Sequence, residues 1–211
     1  RGGMILCKKE YGEWVDQGCP LVLGGPLAHS IAAKKIAFTE ANSPEFVDYA
    51  AQIVKNSEAM AKGLMDRGIK LTSDGTDNHL MVLDVSNFDI TGRQAENAVR
   101  AAGITLNRNS IPFDPNGAWY TSGLRLGTPA LTSLGMKEAE MAEIAEVVAN
   151  ILTSTTANTI ASGPNAGKKS KAKSTTDEAV IKDSYDRIQA LLGRFVLYPE
   201  IDTEVLKQLL K

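Results

Sequence analysis

The stretch from Asn42 to Gly68 constrains the fold more than any other part of the chain. Ser43 followed by Pro44 is a helix start: a serine hydroxyl accepts an otherwise orphaned backbone N–H, and proline suits the first helical position. Phe46, Ala50, Ile53, Met60 and Leu64 then recur at helical spacing, with one gap near Ser57. Gly68 follows as the residue that lets a helix stop in a left-handed turn. The pattern predicts one long helix over 44–67, whose apolar stripe is core.

Shorter elements are read on either side. Met4 to Cys7 reads as a buried strand, 10–18 as a short amphipathic helix, 19–30 as a Gly/Pro loop, and 27–41 as a helix with Pro26 at its first turn. Beyond Gly68, strands are expected at 69–73, 80–85, 104–109 and 122–127, with a turn at 74–79. Thr91 and Gln94 form a capping-box pattern for a helix over 92–102 that Gly103 closes. Met141, Ile144, Val148 and Ile151 mark one face of a helix over 136–153. A helix from Asp177 carries Ile181, Tyr185, Ile188 and Leu192 as its stripe, and a last one covers 203–210. Strands alternating with helices indicate an α/β or α+β architecture. Residues 153–176 are rich in Ser, Thr, Gly and Lys and read as a flexible surface linker.

Composition narrows the classes. The 211 residues suffice for one ordinary domain or two small ones, and 43% hydrophobic with 23% charged residues is globular. A net charge of −2 gives no field for nucleic acid or an anionic membrane, and Lys168, Lys169, Lys171 and Lys173 have no interleaved aromatics. The given residues hold no apolar run of about 18, and no signal peptide is visible at their start. The cysteines, Cys7 and Cys19, match no metal spacing and are expected to be free thiols in a reducing cytosol. The opening Arg1, running straight into a short strand that lacks a partner, reads as a piece of a longer protein.

Four segments carry candidate chemistry. In YTSGLRLGTPALT (120–132), Arg125 is an isolated guanidinium among small residues, suited to a carboxylate or phosphate. In GGPLAH (24–29), two glycines before a helix offer bare N–H groups to an anion, or form a plain loop-to-helix turn. In GTDNHL (75–80), Asp77, Asn78 and His79 are either catalytic or a turn feeding a strand, with His79 satisfying backbone groups. In NRNSIPFDPNGAWYTSG (107–123), Asn109 and Ser110 share a polar loop with Trp119, which suits a flat heterocycle or serves as a core anchor.

RGG at the start, GGPLAH, GTDNHL, NRNSIPFDP and TSGLRLGTPA, in this order and spacing, resemble serine hydroxymethyltransferase, closely over about residues 1–152 and loosely over the final helix. The resemblance implies a pyridoxal 5′-phosphate enzyme of the aspartate-aminotransferase fold, passing a one-carbon unit from L-serine to tetrahydrofolate to give glycine and methylenetetrahydrofolate. It implies that 1–42 end the large cofactor-binding domain and that 43–211 form the small C-terminal α/β domain. It also implies a cytoplasmic homodimer with shared active sites, and neither nucleic-acid nor membrane partners.

Residue by residue, Arg125 matches the arginine that holds the substrate carboxylate. Gly24 and Gly25 match the loop approaching the cofactor phosphate across the dimer interface. Asn109 matches a pterin contact, and Gly117, Ala118 and Trp119 match a segment lining the folate site, here GAW where many relatives differ. Arg1 matches an arginine six positions after the cofactor lysine, with a minor electrostatic role. The lysine forming the internal aldimine lies upstream of Arg1 in the family, as do the histidine, aspartate and glutamate that serve the cofactor. The chain is thus expected to be inactive alone and to need the N-terminal part. The rival readings are a folate-independent aldolase for 3-hydroxy amino acids on the same fold, and a non-catalytic dimerisation module.

Overall fold

The computed structural model describes residues 3–201 and 203–209. The chain divides into two compact units, the first ending at Asp48 and the second beginning at Tyr49. The first unit holds a 3-10 turn at Lys9–Tyr11, helix α1 at Gly12–Leu21 with a break at Cys19, and helix α2 at Ala28–Ala41. Residues 4–7, expected as a strand, are not one. A strand needs a ladder partner, and among the described residues none pairs with them, so Met4, Ile5 and Leu6 stand exposed.

Helix α3 runs Pro44–Met65, close to its expected span. The Ser43 hydroxyl accepts from the Phe46 N–H at 3.2 Å, and Gly68 takes φ +78° beyond its end. Met60 and Leu64 are fully buried in the second unit. That unit is built on a four-stranded antiparallel sheet of order β1-β2-β4-β3, with β1 at Lys70–Leu71, β2 at Leu80–Asp84, β3 at Asn107–Asn109 and β4 at Gly123–Gly127. Alternation sorts its faces. Met81, Leu83, Leu124 and Leu126 point into the core, where α4 (Gly92–Ala101) and α7 (Glu138–Thr153) meet them. Each such side chain contributes about 1.5–3 kcal/mol by leaving water. All four residues of the expected α7 stripe are buried.

Three further expectations are corrected. The span 153–176 is not a structureless linker. Residues 155–159 and 169–176 form an antiparallel ribbon, β5 (Thr155–Thr159) with β6 (Lys169–Thr176). The capping residues of α4 fix it: the Gln94 side-chain amide donates to the carbonyls of Ser170 and Lys173, each at 2.7 Å, and the Thr91 hydroxyl donates to Lys171 O at 2.8 Å. The second correction concerns α8 (Glu178–Arg194), capped by Asp177. Its buried face is Ser184, Ile188 and Leu191, while Tyr185 and Leu192 are exposed, so the stripe is rotated from the expected one. Third, two short helices stand where no helix was expected: α5 at Gly117–Tyr120, mostly within the span read as a loop, and α6 at Pro129–Ser133, in a stretch given no element. The last helix, α9, spans Thr203–Leu209. Among the described residues no helix is long and apolar enough to cross a membrane.

Candidate functional site

Register builds the site. Arg125 on β4 stands opposite Val82 of β2 and Asn107 of β3, while Gly123 stands opposite Asn109 and Asp84. Paired residues of an antiparallel ladder share a face. Arg125, Asn107 and Asn109 therefore lie together on the face turned away from the apolar core. Arg125 is exposed, and its guanidinium has no carboxylate partner among the described residues. The small residues beside it approach their own chain. A Cβ on Gly123 would sit 2.7 Å from Leu83 O and 2.9 Å from Asn109 O, and one on Gly127 would sit 3.2 Å from His79 O. Glycine here allows three strands to close up and leaves Arg125 as the projecting polar group.

The loop from Ser110 to Ser122 joins β3 to β4 and is organised by a residue the sequence reading did not single out. Asp114 accepts through Oδ2 from the N–H groups of Ile111 (3.2 Å) and Ser122 (2.8 Å). Its Oδ1 accepts from the Asn116 N–H (2.9 Å) and the Ser122 hydroxyl (2.7 Å). Burial, the largest single influence, pushes the carboxyl up. The bonds from Asn116, Ser122 and Ile111 together outweigh it and hold the group below its ordinary value. Thr121, buried, takes φ +55°, and its hydroxyl has no partner among the described residues. A Cβ on the neighbouring Gly92 would sit 2.3 Å from that hydroxyl, so the loop lies hard against the start of α4.

Within this loop, Gly117 takes φ +65° at the start of α5, and Gly117 and Ala118 are exposed. Trp119 is 63% exposed, which excludes the core-anchor reading. The guanidinium carbons of Arg93 and Arg108 each lie 5.4 Å from its ring centre. Two cation–π contacts hold an indole that the core does not. Arg108 is itself tied to Glu96 at 3.3 Å.

A cavity of about 730 Å³ opens in the second unit. It is mostly apolar, with Leu126, Ile144 and Leu191 among its walls, and Arg125, Asn107 and His79 also line it. No contiguous motif announces it, because its walls come from separate helices and strands. His79 is exposed and does not satisfy the turn as expected. Asn78 does so, its Oδ1 accepting from the Leu80 N–H at 3.0 Å, with Thr76 accepting from Asn78 N at 3.3 Å. Among the described residues no cluster of His, Cys, Asp or Glu offers a metal site, and Cys7 and Cys19 are free.

In the first unit, Gly24 and Gly25 lie in the turn between α1 and α2. Gly24 takes φ +79°, and a Cβ on either glycine would touch nothing within 4 Å. Neither N–H donates to a group among the described residues. Open backbone with free donors fits the approach of a phosphate. The expected role for Arg1 falls outside the described residues.

A family model described as serine hydroxymethyltransferase matches residues 1–148. Proteins named serine hydroxymethyltransferase from Cutibacterium acnes and Salinispora tropica are each 52% identical over 203 residues, 96% of this chain. One from Treponema pallidum is 50% identical over 207 residues, 98% of the chain. The chain spans 35–41% of the length of these curated relatives.

Proposed function

The chain belongs to the serine hydroxymethyltransferase family, and on that premise we propose that it is the C-terminal portion of a pyridoxal-phosphate-dependent enzyme moving a one-carbon unit from L-serine to tetrahydrofolate. The observation that carries this reading is Arg125. It is an exposed guanidinium without a carboxylate partner among the described residues, on one sheet face with Asn107 and Asn109.

A guanidinium fork grips a carboxylate through two parallel N–H···O bonds, which fixes direction as well as position. Arg125 orients the amino acid by its carboxylate, so that one bond at Cα is presented for cleavage. The cofactor, when bound, supplies the electron sink for that cleavage. Gly24 and Gly25 offer backbone N–H groups toward its phosphate, in the proposed homodimer toward that of the neighbouring subunit. Asn109 presents an amide to the pterin, and Gly117 to Trp119 form the exposed aromatic wall beside which the folate rests. The rest of the catalytic machinery, the cofactor lysine included, belongs on this reading to the N-terminal part of the full-length protein.

The test is tetrahydrofolate-dependent conversion of L-serine to glycine by the full-length protein. Arg125→Ala is expected to lower kcat/KM for serine by roughly 10²–10³, the worth of a bidentate charged pair at about 1.4 kcal/mol per tenfold, with the cofactor still bound. Serine turnover by Arg125→Ala close to that of the wild type would refute the assignment.

A further inference from the structure

We propose that Asp114 is a positioning residue for the co-substrate: its carboxylate clasps the Ser110–Ser122 loop at both ends and so holds the Gly117–Trp119 wall in place. This rests on the reading that 117–119 line the folate site.

The geometry is that of a clasp. One carboxylate reaches three points of the loop: Ile111 just after β3, Asn116 just before α5, and Ser122 just before β4. Both oxygens are used, each by two donors. A further bond, from the Asn116 side-chain amide to the Ser122 hydroxyl at 3.0 Å, closes the ring. Each anchor lies within two residues of a group assigned to the site or of the strand that carries Arg125. Beyond the clasp, the Trp119 ring has its two cation–π contacts with Arg93 and Arg108, and burial adds little. Trp119 and Phe113 are exposed at 63% and 102%, so neither is fixed by burial. Thr121 sits in a sparsely populated backbone region, which persists only where its surroundings hold it there. The Asp114 bonds to Ser122 N–H and Oγ do so from one side, and Gly92 N–H, donating to Thr121 O at 3.0 Å, from the other.

Arg125 does not depend on the clasp in the same way. Its strand is paired on both sides, with β2 over five residues and with β3 over three. Loosening the loop should therefore affect the co-substrate and spare the amino acid.

The experiment uses the full-length, cofactor-loaded protein and tetrahydrofolate as the probe. Asp114→Asn keeps the volume but leaves one acceptor oxygen where two served four donors. The expected result is a rise of roughly tenfold in KM for tetrahydrofolate, with the Kd for serine in the absence of folate changed less than about twofold. A parallel rise in both constants, or none in either, overturns the positioning role. Ser122→Ala removes only the hydroxyl donor and is the milder companion should Asp114→Asn fold poorly. It should shift the folate constant alone, by a smaller factor, and a shift in serine Kd instead would overturn the proposal. Trp119→Ala separates the two layers. If it raises KM for tetrahydrofolate while Asp114→Asn does not, the clasp is wrong and the folate wall stands. If Trp119→Ala changes nothing, the underlying reading is wrong and the proposal falls with it.

Discussion

Arg125 projects from a strand whose neighbouring residues are packed to contact, and that contrast is the residue-scale basis of the site. Gly123 is the tightest point. Gly123→Ala would force a methyl against Leu83 O, Asn109 O and Ile111 Cγ2 at 2.7–2.9 Å. We expect a loss of about 1–3 kcal/mol in chemical denaturation, since overpacked strands must shift. Arg125 was legible in the sequence because an isolated guanidinium among small residues stands out, although those residues proved to serve strand contact. Asp114 was not singled out. Its local signal, an aspartate two residues before the N–H of Asn116, is that of an ordinary Asx turn. The bonds to Ser122 that make it a clasp depend on the fold. Asp84 is another carboxylate held low. Burial pushes it up most, but Ser86 and Lys70 together pull it below its ordinary value. A depressed carboxylate stabilises the folded state above its unfolded value and ceases to do so as pH falls through its folded value. Acid titration of unfolding should show stability lost below the ordinary carboxyl range, and Asp84→Asn should flatten that loss. An unaltered acid limb in Asp84→Asn would contradict the assignment.

Elements with strong apolar periodicity were read well, and the ribbon β5–β6 shows where such reading stops. Its segment holds few bulky apolar residues, so it has little hydrophobic signal to detect. Burial alternates along β6 all the same: Lys169, Lys171 and Lys173 face out, while Ser170, Ala172 and Ser174 are half-buried. That period of two was present in the sequence, carried by lysines against small residues. Backbone hydrogen bonding and the Gln94 amide secure the ribbon. Gln94 is 1% exposed and also accepts from the Thr91 N–H at 2.8 Å, so one side chain caps α4 and holds β6. Gln94→Ala should cost about 2–3 kcal/mol, a cap plus two hydrogen bonds whose carbonyls lose their donor. Hydrogen exchange should accelerate in β6 while β2 and β4 stay protected; unchanged protection in β6 would contradict this. The strand expected at 4–7 failed for the converse reason. Apolar content made it look buried, but a strand exists only by pairing, and no partner can be read from the residues themselves. In α8 the stripe was misread by rotation, because Ser184 rather than Tyr185 turns inward.

At the scale of the whole molecule, the chain comprises two compact units and about two fifths of the length of its curated relatives. The second unit carries the sheet, the clasped loop, the cavity and Arg125, while the first carries the glycine turn. The cavity was the part of the site least visible beforehand, since Leu126, Ile144 and Leu191 come together only through tertiary packing. On the proposed reading the second unit's central task is to hold an amino acid by its acid group. The most direct test is the ratio of affinities of the full-length, cofactor-loaded protein for L-serine and L-serinamide, which differ at that group. The account predicts that the wild type prefers serine by roughly a hundredfold and that Arg125→Ala loses nearly all of this preference. An equal preference in both proteins would contradict it.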